Sequence, residues 1–427
     1  MRSLIAAATA AALLLGAPVP AAAAPSPERL LNGSAKADLA GWSVASESGS
    51  VTLRRVTALK GGPATTGVEV RSEGGSGSWA YALSTLKIPA FEVGRTYRMT
   101  AYVRDLGGAG RRYGMLLANG AWQNRPTKVS EYVSPATAKW QRITRTFMAT
   151  ASGAADTSLY FALPASGAFT VQITGASVRP VTAYTPRSVR SAPTRTIGFA
   201  GAEGTEPDAT VWNRQTGAGG WGNGERQTYT SSTANAQVDG SGNLKITALR
   251  TEDGGYTSAR LTTQGKVTVA PGSYVEAAIT APTGEAVWPA FWLLGANMPS
   301  VGWPACGELD IFEGTGSEPN LAKSAVHLAG RSYDWSEGTT DLGVPLDAGS
   351  HRFGVYFDAT TVRFYVDRKP TMVLWASDVT AAGRTWPFAK PQFMLLNVAV
   401  AGDATPTFDA RTMTVGPISI WRGGVPA

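Results

Sequence analysis

Apolar and polar residues alternate along most of this chain in short runs, and no long stretch has helical periodicity. In the first part these runs are VTLRRV, GVEVRS, SWAYALSTL, TYRMTAYVRD, YGMLLA, KWQRITRTFMA, SLYFAL and FTVQITGASVRP, separated by Gly, Ser, Pro or Asn. Side chains of a strand point alternately to its two faces, so each run predicts a strand with one buried face. Over residues 28–180 the pattern predicts an antiparallel β-sandwich of about eight strands. A second series begins at Ile197: GNLKITALR, YTSARLTTQGKVTV, GSYVEAAIT, AVWPAFWLL, GELDIFEG, KSAVHLAG, HRFGVYFD, TVRFYVDR, TMVLWAS, QFMLLNVAV and MTVGPISIWR. About a dozen strands here predict a large two-sheet sandwich over 197–427. HRFGVYFD and TVRFYVD should form a hairpin around Ala359 and Thr360. Between the two series lies VTAYTPRSVRSAPTRT (181–196), with two prolines and few large apolar residues. It reads as a semi-extended linker. The expected fold class is all-β.

Composition narrows the class. The 427 residues suit two domains, and the 49 glycines and 26 prolines suit many turns. The net charge is +7 with no basic block, so nucleic acid is not an expected partner. Residues 1–24 combine Arg2, an apolar stretch over 4–17 and small residues ending at Ala24. That is the form of a secretory signal peptide. No later apolar run is long enough to span a bilayer, so a secreted, soluble protein without a membrane partner is expected, and a monomer. The single cysteine, Cys306, rules out an intrachain disulfide and reads as a small buried residue. Two distant histidines give no zinc site. GAGGWG (217–222) neither closes a strand nor opens a helix, and VDGSGN (238–243) reads as a turn, so no cofactor or metal is expected.

One stretch departs from plain alternation. ACGELDIFEGTG (305–316) reads as a strand, yet it carries Glu308, Asp310 and Glu313. In a regular strand Glu308 and Asp310 share a face while Glu313 points the opposite way. Charged groups beside Trp288, Phe291, Trp292, Trp303 and Phe312 cost free energy unless they are paired or used. A pair of carboxyl groups facing one cleft is the requirement of a glycosidase; retaining enzymes place them about 5–5.5 Å apart. One extra residue in the strand, a β-bulge near Ile311–Phe312, would bring Glu313 back into phase. Trp288 and Trp292 lie four apart and share a strand face, where their rings suit the flat C–H faces of sugars.

GELDIFEG resembles the E-x-D-x-x-E signature of glycoside hydrolase family 16, laminarinase-like branch. WGNGERQTYT (221–230), YTSARLTTQGK, VWPAFWLLG, VHLAG, FYVDR and FMLLNVAVAG follow in that family's order over about 196–422. The resemblance implies a concanavalin-like β-jelly roll with a catalytic cleft on its concave sheet, acting on internal β-1,3-glucosidic bonds of a β-glucan with retention. It implies that Glu308 is the nucleophile, Asp310 the assisting acid and Glu313 the acid/base. By matching position, Trp288, Trp292, Trp303, Asn223, Arg260 and His327 contact substrate. AGDATPT and VHLAGRSYDW depart from the usual family runs, which bears on chain-length preference. Relatives of this kind act on mixed-linkage glucan or agar-type galactan, or bind β-glucan without cleaving it, and these stand as alternatives. LLNGSAKADLAGWSV and FTVQITGASVRP resemble the ends of family 4/9-type carbohydrate-binding modules, with Trp79, Tyr81, Trp122 and Tyr132 as candidates to line a groove.

Overall fold

The computed structural model describes residues 28–427 apart from 48–50, 75–76, 89, 108–110, 120–129, 134–137, 165, 183–184, 330–333, 382 and 403–407. Helix is confined to Met298–Val301 and Ala376–Ala381 among the described residues, and no helix is long and apolar enough to cross a membrane. The segment read as a signal peptide, Trp122 and the side chain of Tyr132 lie outside this description, as do 403–407 of the AGDATPT run and 330–333.

The first domain is a sandwich of two five-stranded antiparallel sheets. One orders Trp42–Ser46, Ala80–Thr85, Ser158–Leu163, Tyr113–Ala118 and Ser130–Val133; the other orders Val51–Val56, Gly67–Ser72, Phe169–Pro180, Thr96–Asp105 and Gln141–Met148. Alternation explains the packing. Tyr97, Met99, Ala101 and Val103 of TYRMTAYVRD all face one core, with Val171 and Ile173 beside them on the neighbouring strand and Phe161 opposite on the other sheet.

The second domain is a jelly roll of two larger sheets. The seven-stranded sheet runs Asn213–Gln215, Arg260–Thr262, Gln392–Val400, Val287–Gly295, Glu308–Gly314, Leu321–His327 and Asp334–Asp341. An eleven-stranded sheet covers its back. Leu293, Leu309, Ile311, Phe312, Leu396 and Val398 of the first sheet meet Val275, Ile279, Phe353, Val355 and Phe364 of the second. Phe312 stacks on Phe353 at 4.2 Å between centroids. Each such fully buried side chain contributes about 1.5–3 kcal/mol. The strand Gln392–Val400 is buried along its whole length, because Met394, Leu396 and Val398 face this core while Phe393, Leu395 and Asn397 face the other side.

The expected strand YTSARLTTQGKVTV is divided. Tyr256–Ser258 belongs to the large sheet and Arg260–Thr262 to the smaller one, so the chain changes sheets at Ala259. The crossing delivers Arg260 to the smaller sheet. The expected hairpin is present, with Asp358 accepting from the N–H groups of Thr360 and Thr361. Residues read as a linker are not a free tether. Ser188–Val189 pairs with Val425–Pro426, Arg195–Ile197 pairs with Ile418–Ile420, and Trp421 Nε1 donates to the Ser191 carbonyl. The domains also touch directly: buried Asp378 accepts from the Thr146 N–H at 2.6 Å, beside a cluster of Met148, Val373 and Trp375.

Candidate active site

The bulge is present. Against the strand Val287–Gly295, Phe291 pairs with Phe312 and the next residue, Trp292, with Asp310. Against Leu321–His327, Asp310 pairs with Ala325 and Glu313 with Lys323, so three steps on one strand face two on its neighbour. Ile311 and Phe312 both turn into the core, at 1% and 0% exposure, and the Ser324 hydroxyl donates to the Ile311 carbonyl at 3.0 Å. Two successive inward residues shift the alternation by one. Glu308, Asp310 and Glu313 therefore line one cavity, together with Asn223, Glu225, Arg260, Trp288, Trp292 and Asn397. Beside Trp288 this cavity opens into a depression of about 670 Å³ bounded by Thr315, Ser317, Gly402 and exposed Glu285.

Each acid has a specific neighbour. The Trp303 indole, 49% exposed on the loop before the strand, donates to Glu308 Oε2 at 2.7 Å. The Trp288 indole donates to Glu313 Oε1 at 2.8 Å. His327 Nε2 lies 2.9 Å from Asp310 and 4.0 Å from Glu308. His327 is thus a half-buried cleft residue rather than a core one. His351 pairs with Asp367 instead. Cys306 is fully buried among Leu294, Phe393 and Leu395.

Glu308 and Asp310 titrate as a pair, and both are pushed up. Burial is the larger cause for each. Next comes a neighbouring negative charge: that of Asp310 on Glu308, and that of Glu313 on Asp310. His327 opposes both shifts. Two neighbouring carboxyls buried in one site push each other's ionisation apart, and the titration belongs to the pair. The upward shift is the larger for Glu308, so its proton must pass to Asp310 before Glu308 is a free carboxylate. Glu308, Asp310 and His327 also bring one ligating atom each within 4.8 Å of one another.

The remaining predicted residues form one wall. The Arg260 guanidinium lies between the rings of Trp221 and Trp292, 4.9 and 4.6 Å from their centroids, and its Nε donates to Gln215. Burial lowers its pKa, while Tyr229, Glu225 and Glu308 act in the opposite direction. Trp292 Nε1 donates to Asn397 Oδ1 at 2.8 Å. Asn223 stands exposed on the Gly-rich loop and donates to Glu225 at 3.2 Å. Glu225, Asn397 and Trp221 were not singled out from sequence. Trp221 carries one local signal: it adopts φ 48°, uncommon for a bulky residue, and that turn sets its ring on Arg260.

A two-sheet sandwich with paired carboxyls and tryptophans on its smaller sheet defines a glycosidase-type cleft. Residues 223–415 match the model of the glycosyl hydrolases family 16. The beta-glucanase of Rhodothermus marinus is 36% identical over 210 residues, 46% of this chain and 71% of that protein. The glucan endo-1,3-beta-glucosidase A1 of Niallia circulans is 30% identical over 230 residues, which are 47% of this chain and only 33% of the Niallia protein. The laminarinase catalytic domain of Thermotoga maritima MSB8 aligns with 56% of this chain and 99% of its own, at 33% identity and a TM-score of 0.49. This chain belongs to glycosyl hydrolase family 16.

Proposed function

We propose that the chain is a secreted, monomeric endo-glucanase that cleaves internal β-1,3-glucosidic bonds of laminarin-like glucans with retention. The observation that carries the reading is the bulge at Ile311–Phe312, which sets Glu308 and Glu313 toward one cavity with Asp310 between them. Glu308 attacks the anomeric carbon while Glu313 gives its proton to the leaving oxygen; Glu313 then takes a proton from water as the glycosyl-enzyme bond breaks. Asp310 takes up the proton of Glu308 as Glu308 attacks, and His327 Nε2 lies against Asp310 at 2.9 Å. The Trp288 indole at Glu313 and the Trp303 indole at Glu308 fix both carboxyls. Trp292 and Arg260 offer a flat apolar face and guanidinium donors to a glucose ring. Relatives named as glucan endo-1,3-beta-glucosidases support the substrate class. Residues 1–24 support export.

The test is product analysis on laminarin, mixed-linkage glucan and agarose, using protein recovered from the culture medium. Internal cleavage of laminarin with retained anomeric configuration is expected. Glu308→Ala should abolish release, and Glu313→Gln should slow it by about 10²–10⁴-fold, the range for removing a general acid. Binding without product, in the wild type, would leave a glucan-binding protein instead.

The first domain we read as a carbohydrate-binding module. Trp79, 40% exposed, stacks on Tyr81 at 5.8 Å, and Tyr81 meets Tyr160 edge-on at 5.6 Å, on the outer side of one sheet. Such a strip suits the apolar faces of a glycan.

A further inference from the structure

Four carboxylates line the active-site cavity, and the mechanism uses three. The fourth, Glu225, is 7% exposed and accepts three hydrogen bonds: from Asn223 Nδ2 at 3.2 Å, Gln227 Nε2 at 2.6 Å and Tyr229 OH at 2.9 Å. All three donors come from its own loop, which is wrapped around the carboxylate. The loop is pinned to the strand Gln392–Val400, because the Val400 N–H donates to Gln227 Oε1 and the Arg226 N–H donates to the Val400 carbonyl. A Cβ on Gly402, just past that strand, would stand 2.2 Å from the Gly224 carbonyl oxygen, so only glycine allows the loop this close.

The directions of the Tyr229 and Gln227 bonds are set from outside. An indole N–H can only donate, so Trp292 requires the Asn397 carbonyl. The Asn397 amide then donates to Tyr229 OH at 3.1 Å, and the phenol has its proton left for Glu225. From the other end the Val400 N–H, also donor-only, takes the Gln227 carbonyl and turns the Gln227 amide toward Glu225. Both chains deliver donors to one side chain. One oxygen of Glu225 accepts from Gln227 and Tyr229 and the other from Asn223, so an amide at 225 could keep the first two only by turning its NH2 group onto the Asn223 donor. Glu225 also bears on the other side of Trp292, since its charge favours the cationic form of Arg260, which lies against that indole face.

We infer that Glu225 is a positioning residue of the sugar-binding wall: as an obligate acceptor it fixes the Tyr229–Asn397–Trp292 chain and the charge of Arg260, and so sets affinity for the glycan rather than the chemical step. The inference rests on the proposed glycanase reading for its kinetic consequence. Its structural content does not depend on the substrate.

The variants are Glu225→Gln and Tyr229→Phe in the full chain. On whichever polysaccharide the wild type hydrolyses, E225Q should raise KM by about tenfold, the effect of one buried polar group left unpaired, with kcat changed by less than about threefold. Y229F cuts the same chain one link further on, so the double variant should be no worse than E225Q alone. An unchanged KM in E225Q, a loss confined to kcat, or independent, additive effects of the two changes would overturn the inference. If E225Q does not fold, Y229F keeps the carboxylate and carries the KM test by itself. A crystal structure of the variant that folds adds a readout free of any substrate, in which Trp292 and Asn397 should lose their 2.8 Å pairing. That pairing intact would refute the positioning role even if the wild type cleaved nothing. A wild type inactive on all three polysaccharides, with the chain broken in the variant, would refute the proposed function and leave this inference standing.

Discussion

Glu308 is placed where its chemistry opposes its stability. Its folded pKa is raised to about 8, through burial first and the charge of Asp310 second. Between the unfolded carboxyl value, about 4.3, and that raised value the folded state holds a proton that the unfolded state has released. Stability therefore falls as pH rises through this window. Glu308→Gln removes this ionisation, so it should melt above the wild type at pH 8, by roughly 2–8 °C for about 1–2 kcal/mol in a domain of this size. The gap should close near pH 4, where both side chains are neutral. A scan of melting temperature against pH checks this, and a gap that does not depend on pH would be contrary to it. The acids were legible in the sequence because they interrupt an apolar pattern between tryptophans. Glu225 was not, since the partner that gives its network meaning, Asn397, reaches it through Tyr229 from 168 residues away. His327 was ambiguous for a similar reason: its role depends on Asp310 across a strand pair.

Among the elements, the strand Glu308–Gly314 sets a parity rule. Asp310 and Glu313 share a face because Ile311 and Phe312 are both turned inward. Deleting Ile311 leaves one inward residue and keeps Glu313 on the cleft side. Inserting an alanine after Phe312 turns Glu313 toward the core. The deletion, despite a core cost of about 2–5 kcal/mol, should retain more hydrolysis than the insertion, which should fall to the level of E313Q. Equal losses would argue that phase is not what the bulge supplies. Long runs announced themselves: TYRMTAYVRD and QFMLLNVAV form strands over Thr96–Asp105 and Gln392–Val400, as their alternation and β-branched content suggest. Strands of two or three residues, such as Arg195–Ile197 and Thr228–Tyr229, contain too few positions for a period to show. The change of sheet at Ala259 was equally hidden, because both halves of YTSARLT alternate in the same way and only their partners differ.

At the scale of the whole molecule, the two domains are joined by more than a covalent thread. The segment 181–196 is paired at two points with the C-terminal strands, and Asp378 binds the backbone of the first domain at Thr146. If the Trp79–Tyr81 strip binds glucan, this docking holds it at a set distance from the cleft and raises the enzyme's effective concentration on polymer. Replacing Trp79 and Tyr81 together by alanine should then lower pull-down on insoluble β-1,3-glucan by about tenfold, while hydrolysis of short soluble oligosaccharides is unchanged. Undiminished pull-down would remove the binding-module reading. Two domains of sandwich type were legible from strand runs alone, whereas their docking was not, since Thr146 and Asp378 carry no pattern that names each other.

The pairing of Arg195–Ile197 with Ile418–Ile420, and of Ser188–Val189 with Val425–Pro426, joins the segment that leads into the second domain to the last strands of that domain. A polypeptide made from its N-terminus has all of the first sandwich available once residue 180 has emerged. The second sandwich lacks these pairings until residues 418–426 have emerged. Contacts this distant in sequence form slowly, and domains complete themselves in the order of synthesis. A nascent chain halted near residue 415 would thus carry a finished first domain beside a second one still open along one side.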